Sequence, residues 1–301
     1  MNKQDFVAFI DGRFTLFNGE GGSANMPRHI VETLQGYITD VCLKRKVRNY
    51  VDLRYGSLEG MGIFIRHGVP KDKAQYEAIN SVPKPKNKSL EEMDKYATEL
   101  KKWMCDHFWD VRTFGAVCQR FNAKEKKDKD KEKENTGKEK VYAGVDGAIR
   151  GAVQIGFAES VDPITIERVD ITSCAVANEE EAANKNNTMG TKYVVPYAMY
   201  KVTGHILPHI AKKNGFTEED LEKFFNAFLH MFEIDHSAAR GEMAVKKLFV
   251  FEHENEFGSA FEDDVVNSVK VEKKVDGTPT KFEDYAISVT PIKGVTVKEL
   301  R

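Results

Sequence analysis

The chain has 301 residues and a mass of 34.1 kDa, enough for one large domain or two small ones. At that length roughly three quarters of the unfolded surface can be buried without disulfide or metal support. Its 45 Lys and Arg oppose 47 Asp and Glu, a net charge of -2. That balance excludes a protein that holds polyanions by bulk charge, so any nucleic-acid site has to be local.

Cys42, Cys105, Cys118 and Cys174 are far apart and form no CxxC pair. They indicate neither a disulfide framework nor a structural zinc, and they suit a reducing compartment. Met1 to Phe6 carries no apolar signal region, and no apolar run approaches the roughly 20 residues that span a bilayer. The expectation is a cytoplasmic chain with no membrane partner.

Taken in order, Phe6 to Ile10 predicts a short buried strand that turns at Asp11-Gly12, with Phe14 to Phe17 pairing back. Asn18 to Asn25 is rich in Gly, Asn and Ser and reads as a loop with exposed backbone N–H groups. It suits wrapping a phosphate, crossing a partner's surface or merely connecting. It is no P-loop, because no Gly-Lys-Ser/Thr follows. Thr39 then caps a helix with Asp40 in its first turn. On it Leu43, Val47, Tyr50 and Val51 share one face, and Lys44, Arg45 and Arg48 cluster on another.

Gly60 to Ile65 reads as a strand and Pro83-Lys84-Pro85-Lys86 as a linker. Ser89 and Glu92 form a capping box that opens a helix to about Met104, with Leu90, Met93, Ala97, Leu100 and Met104 as its apolar stripe. Trp103, Phe108 and Trp109 at its end read as packing. From Lys124 to Lys140 the chain has eight Lys against six acids and no apolar side chain, which predicts a solvated, disordered loop.

Val153 to Phe157 predicts a strand, and Ser160 to Ile164 a turn. Ile166 to Val176 and Lys192 to Met199 read as the arms of a long antiparallel hairpin. Thr217 and Asp220 cap a helix to about Phe232, burying Leu221, Phe224, Phe225, Phe228 and Phe232. Strands follow at Lys247 to Phe251, Val265 to Lys273 and Tyr285 to Val289. The order is β-α-β-β-α-β with insertions, an α+β chain built on an RRM-like (ferredoxin-like) sheet.

Enzymatic chemistry finds little support. His205 and His209 are four apart, but Pro208 lies between them and no Glu follows the first, so the zinc-protease pattern fails. Glu233, Asp235, His236 and Glu242 have metal-ligating chemistry, although such a group after a helix is more often capping and surface charge. An aromatic RNA-binding signature is also missing, since Arg150-Gly151 runs into Ala152-Val153-Gln154. RNA, if held, is held by its backbone.

Four blocks in order carry a resemblance: Thr39 to Tyr50, Asp110 to Val117, Ser160 to Ile164, and Ser237 to Met243. Together they closely resemble the CRISPR-associated backbone subunit of type I-C Cascade. Asn18 to Arg28 is similar to that family's N-terminal loop, with Glu20 where Asp is usual. The Lys-rich loop and Ile234-Asp235-His236 depart from the family pattern and carry no shared role.

The resemblance implies a hand-shaped protein with an RNA-recognition-type palm over 1-54, 106-177 and 194-301. It also implies a finger insertion over approximately 55-105 and a thumb hairpin over approximately 178-193. Copies would stack head to tail along a CRISPR RNA, beside other Cascade subunits, and present its bases to a target DNA strand in antiviral defence. No cofactor, metal or catalytic residue is implied.

On this basis Lys44, Arg45 and Arg48 are expected to contact guide phosphates, with Asn18, Gly19, Asn25 and Arg28 from the loop. Arg112, Lys192, Arg240 and Gly241 complete the contacts, and Met189 is the apolar wedge that displaces a base. The rival is a metal-dependent RNA endonuclease using Asp11, Asp162 or Glu242.

Overall fold

The structure is a computed structural model that describes residues 1-85, 89-118, 147-173 and 188-301. The expected charged loop at 124-140, most of the expected thumb hairpin and the side chains of Leu90 and Met189 lie outside the described residues.

The strands are β1 (Gln4–Thr15), β2 (Gly19–Glu20), β3 (Met26–Pro27), β4 (Gln35–Ile38), β5 (Gly115–Cys118), β6 (Gly147–Arg150) and β7 (Val153–Ile155). They continue as β8 (Ala158–Pro163), β9 (Glu167–Ser173), β10 (Thr188–Ile206), β11 (Glu242–His253), β12 (Val269–Lys273), β13 (Tyr285–Val289) and β14 (Val295–Glu299). The chain divides into two compact units, one of Met1–Tyr50, Gln154–Leu207 and Glu222–Arg301, the other of Val51–Val153 and Pro208–Leu221.

The first unit is organised on a large antiparallel sheet in the order β14-β11-β1-β10-β8-β4, with β7 and β9 also paired to β10. β1 is hydrogen-bonded on both sides, Phe6 facing Gly204 of β10 and Val250 of β11. Its expected turn at Asp11-Gly12 does not form. The ladders carry straight through, with Gly12 opposite Ala198 and Met243, and a register shift between Phe9 and Ile10 absorbs the local irregularity.

Side chains alternate across this strand, so its two faces build two cores. Phe6 packs among Phe224, Phe225 and Phe228 of the Glu218–His230 helix, with ring centroids 5.6 to 5.9 Å apart. Val7 and Phe9 face the other way, into a core with Met199, Phe249, Phe251, Val265, Val269 and Tyr285. Val265 belongs to the Glu262–Ser268 helix and Val269 and Tyr285 to the β12–β13 hairpin, so these elements cover the middle of that face. The strand expected over Val265 to Lys273 is thus shorter: Val265 continues its apolar run, but Glu262, Asp263 and Asp264 form a helical first turn.

The Asp40–Tyr55 helix buries Leu43, Val47, Tyr50 and Val51 as their spacing requires. The expected turn at Ser160 to Ile164 is instead the end of β8, whose Ser160 sits opposite Tyr200. In the second hairpin, β9 pairs with β10 from Thr188↔Ser173 to Val194↔Glu167.

In the second unit Ser89 caps the Leu90–His107 helix, its hydroxyl accepting from the Glu92 N–H at 3.3 Å. Tyr96, Leu100, Met104 and Cys105 are buried with Ala78, Ile79 and Val82 from the end of the Lys71–Ser81 helix, which the sequence reading missed. Trp109 is fully buried, and Trp103 and Phe108 pack on the same core. The expected strand at Gly60 to Ile65 reduces to one bridge between Gly62 and Phe108. Asp110 captures the chain that follows, accepting from Phe64 N–H at 2.7 Å and Ile65 N–H at 3.1 Å.

Candidate nucleic-acid interface

Three segments distant in sequence meet in the first unit: the loop after β1, the start of the Asp40–Tyr55 helix, and Asp235 to Gly241. Thr39 ties the first two. Its hydroxyl donates to Asn18 Oδ1 at 3.1 Å and accepts from the Cys42 N–H at 3.3 Å as an N-cap. The Cys42 thiol donates to Phe17 O at 3.4 Å.

The loop itself closes at Gly19 and Asn25. Gly19 pairs with Pro27 and Glu20 with Met26, and a Cβ on Gly19 would collide with the Asn25 side chain. Ala24 and Asn25 take left-handed conformations, with φ of 51° and 61°, to turn the chain back. The third segment is held by Leu16 N–H donating to Ala239 O at 3.1 Å and by the close approach of Gly241 to Arg13 O and Phe14 O. Any side chain at 241 would strike that backbone.

The charges follow from this convergence. Lys46 is almost fully buried and forms an ion pair with Asp235, while its ammonium lies 5.5 Å from the centre of the Phe232 ring. Asp235 also pairs with Arg240, whose side chain stays 38% exposed. Arg28 reaches Glu20 at 3.4 Å. Burial pushes the Cys42 thiol up, and Lys46, Asp235, Arg240 and Arg28 all act on it electrostatically. Two cations therefore share the one carboxylate of Asp235, and Arg28, paired with Glu20, also acts on Cys42, which leaves a local surplus of positive charge. Lys192 joins by donating to Ala238 O.

The model of the family described as CRISPR-associated protein Cas7 matches residues 2–290. The chain belongs to that family. No curated protein matches it. Among solved structures it is similar to a chain of a "CRISPR RNA-guided surveillance complex, pre-nicking", with TM-score 0.47 and 13% identity over 83% of this chain and 78% of that one. It is also similar to a chain of a "CRISPR RNA-guided surveillance complex" at TM-score 0.42 and 13% identity, over 83% and 69% of the two chains. A third likeness, at TM-score 0.43 and 11% identity over 83% and 61%, is to a chain of "Type III-B Cmr-beta bound to cognate target RNA".

Within this Cas7 chain the structure gathers Asn18, Gly19, Asn25, Arg28, Lys192, Arg240 and Gly241 around the start of the basic helix. On the helix, Lys44 pairs with Asp40 at 2.8 Å, Arg45 is half-buried and Arg48 is buried. The basic face expected to be open is therefore partly turned inward. Lys46, absent from the predicted set, is the cation at the centre. Its signal was in the sequence only as a lysine next to Val47 on the apolar side of the helix.

Arg112 is a correction. It lies in the second unit, buried, with Nε and Nη2 donating to the two Asp220 oxygens at 2.9 and 2.7 Å. Its Nη1 donates to Gly60 O at 2.6 Å and Cys105 O at 3.1 Å. A guanidinium so committed to protein acceptors is a structural clamp and has no fork left for a phosphate.

Of the acids of the rival reading, Glu242 acts electrostatically on Asp11, while Asp11 and Asp162 are each held by protein partners. Asp11 accepts from Tyr197 OH at 3.4 Å and faces Lys246 at 3.8 Å; burial raises its pKa to about 6. Asp162 accepts from Tyr285 OH at 2.7 Å and pairs with Lys273 at 2.6 Å. Among the described residues no group of three His, Cys, Asp or Glu is placed to hold a metal ion. Asp235 of the weighed Glu233–Glu242 group spends its carboxylate on Lys46 and Arg240.

Proposed function

We propose that this chain is a non-catalytic, crRNA-binding backbone subunit of a type I-C CRISPR surveillance complex, Cascade. Copies follow one another head to tail along the guide, hold its phosphates and leave its bases free for a target DNA strand. The observation that carries this reading is the meeting of Lys46 and Arg240 on the single carboxylate of Asp235, with the Arg28–Glu20 pair in the neighbouring loop, a local positive surplus in a chain of net charge -2. Lys46 and Asp235 act as its rigid base, and Arg240 and Arg28 as the partly exposed cations that meet the strand. Loop N–H groups between Asn18 and Asn25 add uncharged donors.

The sheet order supports an RRM-like palm. β11, β1, β10 and β8 are adjacent and antiparallel, with one helix following β1 and another following β10, the arrangement that two interleaved β-α-β units produce. In this reading the second unit is the finger insertion, wider than the expected 55-105, and the β9–β10 hairpin is the stem of the thumb.

The test is light scattering and nuclease footprinting on the purified chain with a guide-length single-stranded RNA. A length-limited multimer that protects intact RNA at regular intervals is expected. Replacing Arg28 and Arg240 by Ala should weaken binding equally for every sequence, each lost phosphate contact changing the log-log salt slope by about 0.7 to 0.9. RNA cleavage that depends on a divalent ion, and is lost in an Asp11, Asp162 or Glu242 variant, would instead make the chain an endonuclease.

A further inference from the structure

β1 ends against its own sequence pattern. Phe6, Ala8 and Ile10 alternate on one buried face, and the same period directs Gly12 and then Phe14 to it. Phe14 does not go there. A Cβ on Gly12 would already lie 2.5 Å from the Phe17 ring, which fills that end of the face and packs on Tyr200 and Phe232 with centroids 5.2 and 5.8 Å away. The β10 ladder pairs Arg13 with Tyr197 and Thr15 with Val195 but passes over Phe14, and the β11 ladder stops at Arg13.

The backbone turns the ring out instead. Phe14 is left-handed, with φ of 47°. Asparagine takes that conformation readily, as Asn25 does in the loop that follows, but for a bulky aromatic it is an outlier that costs stability. The ring ends 56% exposed. An exposed phenylalanine on a relaxed strand would need no explanation, whereas one held in water by a strained backbone does.

Its surroundings supply the explanation. Gly241 makes its close approach to the carbonyl oxygens of Arg13 and Phe14, and Leu16 N–H donates to Ala239 O. Phe14 therefore adjoins the segment that carries Arg240. The exposed Arg13 guanidinium lies over the Phe14 ring, 5.8 Å from its centre, so a cation backs the aromatic face. An open ring beside cations suits a ligand that is both flat and anionic, and a nucleotide of a single strand is both. Phenylalanine has no hydrogen-bonding group, so such a contact reads no base edge.

We propose that Phe14 is a stacking platform for one unpaired base of the bound strand, whichever base it is, with Arg240 on an adjoining phosphate. The inference rests on the RNA-holding reading above and deepens it. A ring that touches only the face of a base leaves the Watson–Crick edge free, so the strand is gripped at a base without loss of sequence tolerance.

The experiment measures anisotropy of the full chain with labelled oligo(A), oligo(C) and oligo(U) of guide length across a salt series. Urea unfolding and light scattering of each RNA-free variant accompany it. Phe14→Gly should weaken all three oligonucleotides roughly tenfold, the scale of one base–aromatic stack, at an unchanged salt slope. Phe14→Leu, which keeps apolar bulk without a ring, should lose as much, and Phe14→Trp should bind as tightly as the parent. Glycine accepts a positive φ freely, so the urea midpoint of Phe14→Gly should be no lower than the parent's. Unchanged RNA binding by Phe14→Gly, or a loss confined to one base, overturns the platform and leaves the phosphate-binding reading intact. So does a lowered urea midpoint in Phe14→Gly, which would make the ring part of the core, or altered self-association without RNA, which would make it a protein contact. No binding of any oligonucleotide by the parent chain overturns both.

Discussion

Replacing Arg112 by Ala should destabilise the second unit by about 3 to 5 kcal/mol, the usual cost of removing one partner from a buried ion pair. The geometry accounts for that scale. The side chains are 10% and 5% exposed, so Asp220 would keep a buried charge after losing two charge-assisted bonds of 2.9 and 2.7 Å. It would retain only the Thr217 N–H at 3.1 Å and the Thr217 hydroxyl at 3.2 Å. The carbonyls of Gly60 and Cys105 would also lose their donor. Arg112→Lys keeps the charge without the fork and should lose roughly half as much. Urea unfolding reads the effect as a drop of about 1.5 to 2.5 M in the midpoint of this unit, for a slope near 2 kcal/mol per M. A variant that unfolds like the parent but loses about 0.7 to 0.9 from the salt slope of RNA binding would return Arg112 to the phosphate contacts.

Asp11, with a pKa raised to about 6 by burial, binds its proton more tightly folded than unfolded, so the stability of the fold falls as pH climbs from about 4 to 6. Asp11→Asn, which can still accept from Tyr197, should therefore gain up to about 3 kcal/mol at pH 7.5 and nothing below pH 4, read by thermal melts at both. Asp5 shows the opposite sign. Burial alone would raise it, but hydrogen bonds from His205 and His253, with Lys3 nearby, hold it below the usual carboxylate range. Its contribution is present above pH 3.8 and lost as pH falls through the folded value. Asp5→Asn should thus be less stable at neutral pH and show a flatter acid limb. Gly241→Ala would set a Cβ 2.6 Å from Phe14 O and closer still to Arg13 O. It should cost about 1 to 3 kcal/mol and, by shifting Arg240, weaken RNA binding.

Elements whose signals are local were legible in the sequence. The capping pairs Ser89–Glu92 and Thr217–Asp220 set both helix starts, and the apolar spacing of Leu43, Val47 and Tyr50 set the buried face of the basic helix. Elements decided by pairing partners were not. Asp11-Gly12 has the composition of a turn, yet strands on both sides of β1 hold it extended. The Lys71–Ser81 helix has only a weak apolar stripe, Ala78 and Ile79, and becomes visible through the helix it packs on.

The site divides the same way. Composition marked the loop at Asn18 to Asn25, and charge spacing marked Lys44, Arg45 and Arg48, but spacing alone does not say which cations face water. A lysine among apolar neighbours is costly to bury unless an acid waits for it, and the acid that compensates Lys46 lies 189 positions away, at Asp235. Arg112 is the converse case, a cation beside recognisable motif residues whose partner Asp220 lies 108 positions away and removes it from solvent. The sign of a residue is a property of its sequence, while its availability to a phosphate is a property of the pairings. In this chain those pairings turn one predicted phosphate ligand into a clamp and bring an unpredicted lysine to the centre of the cluster.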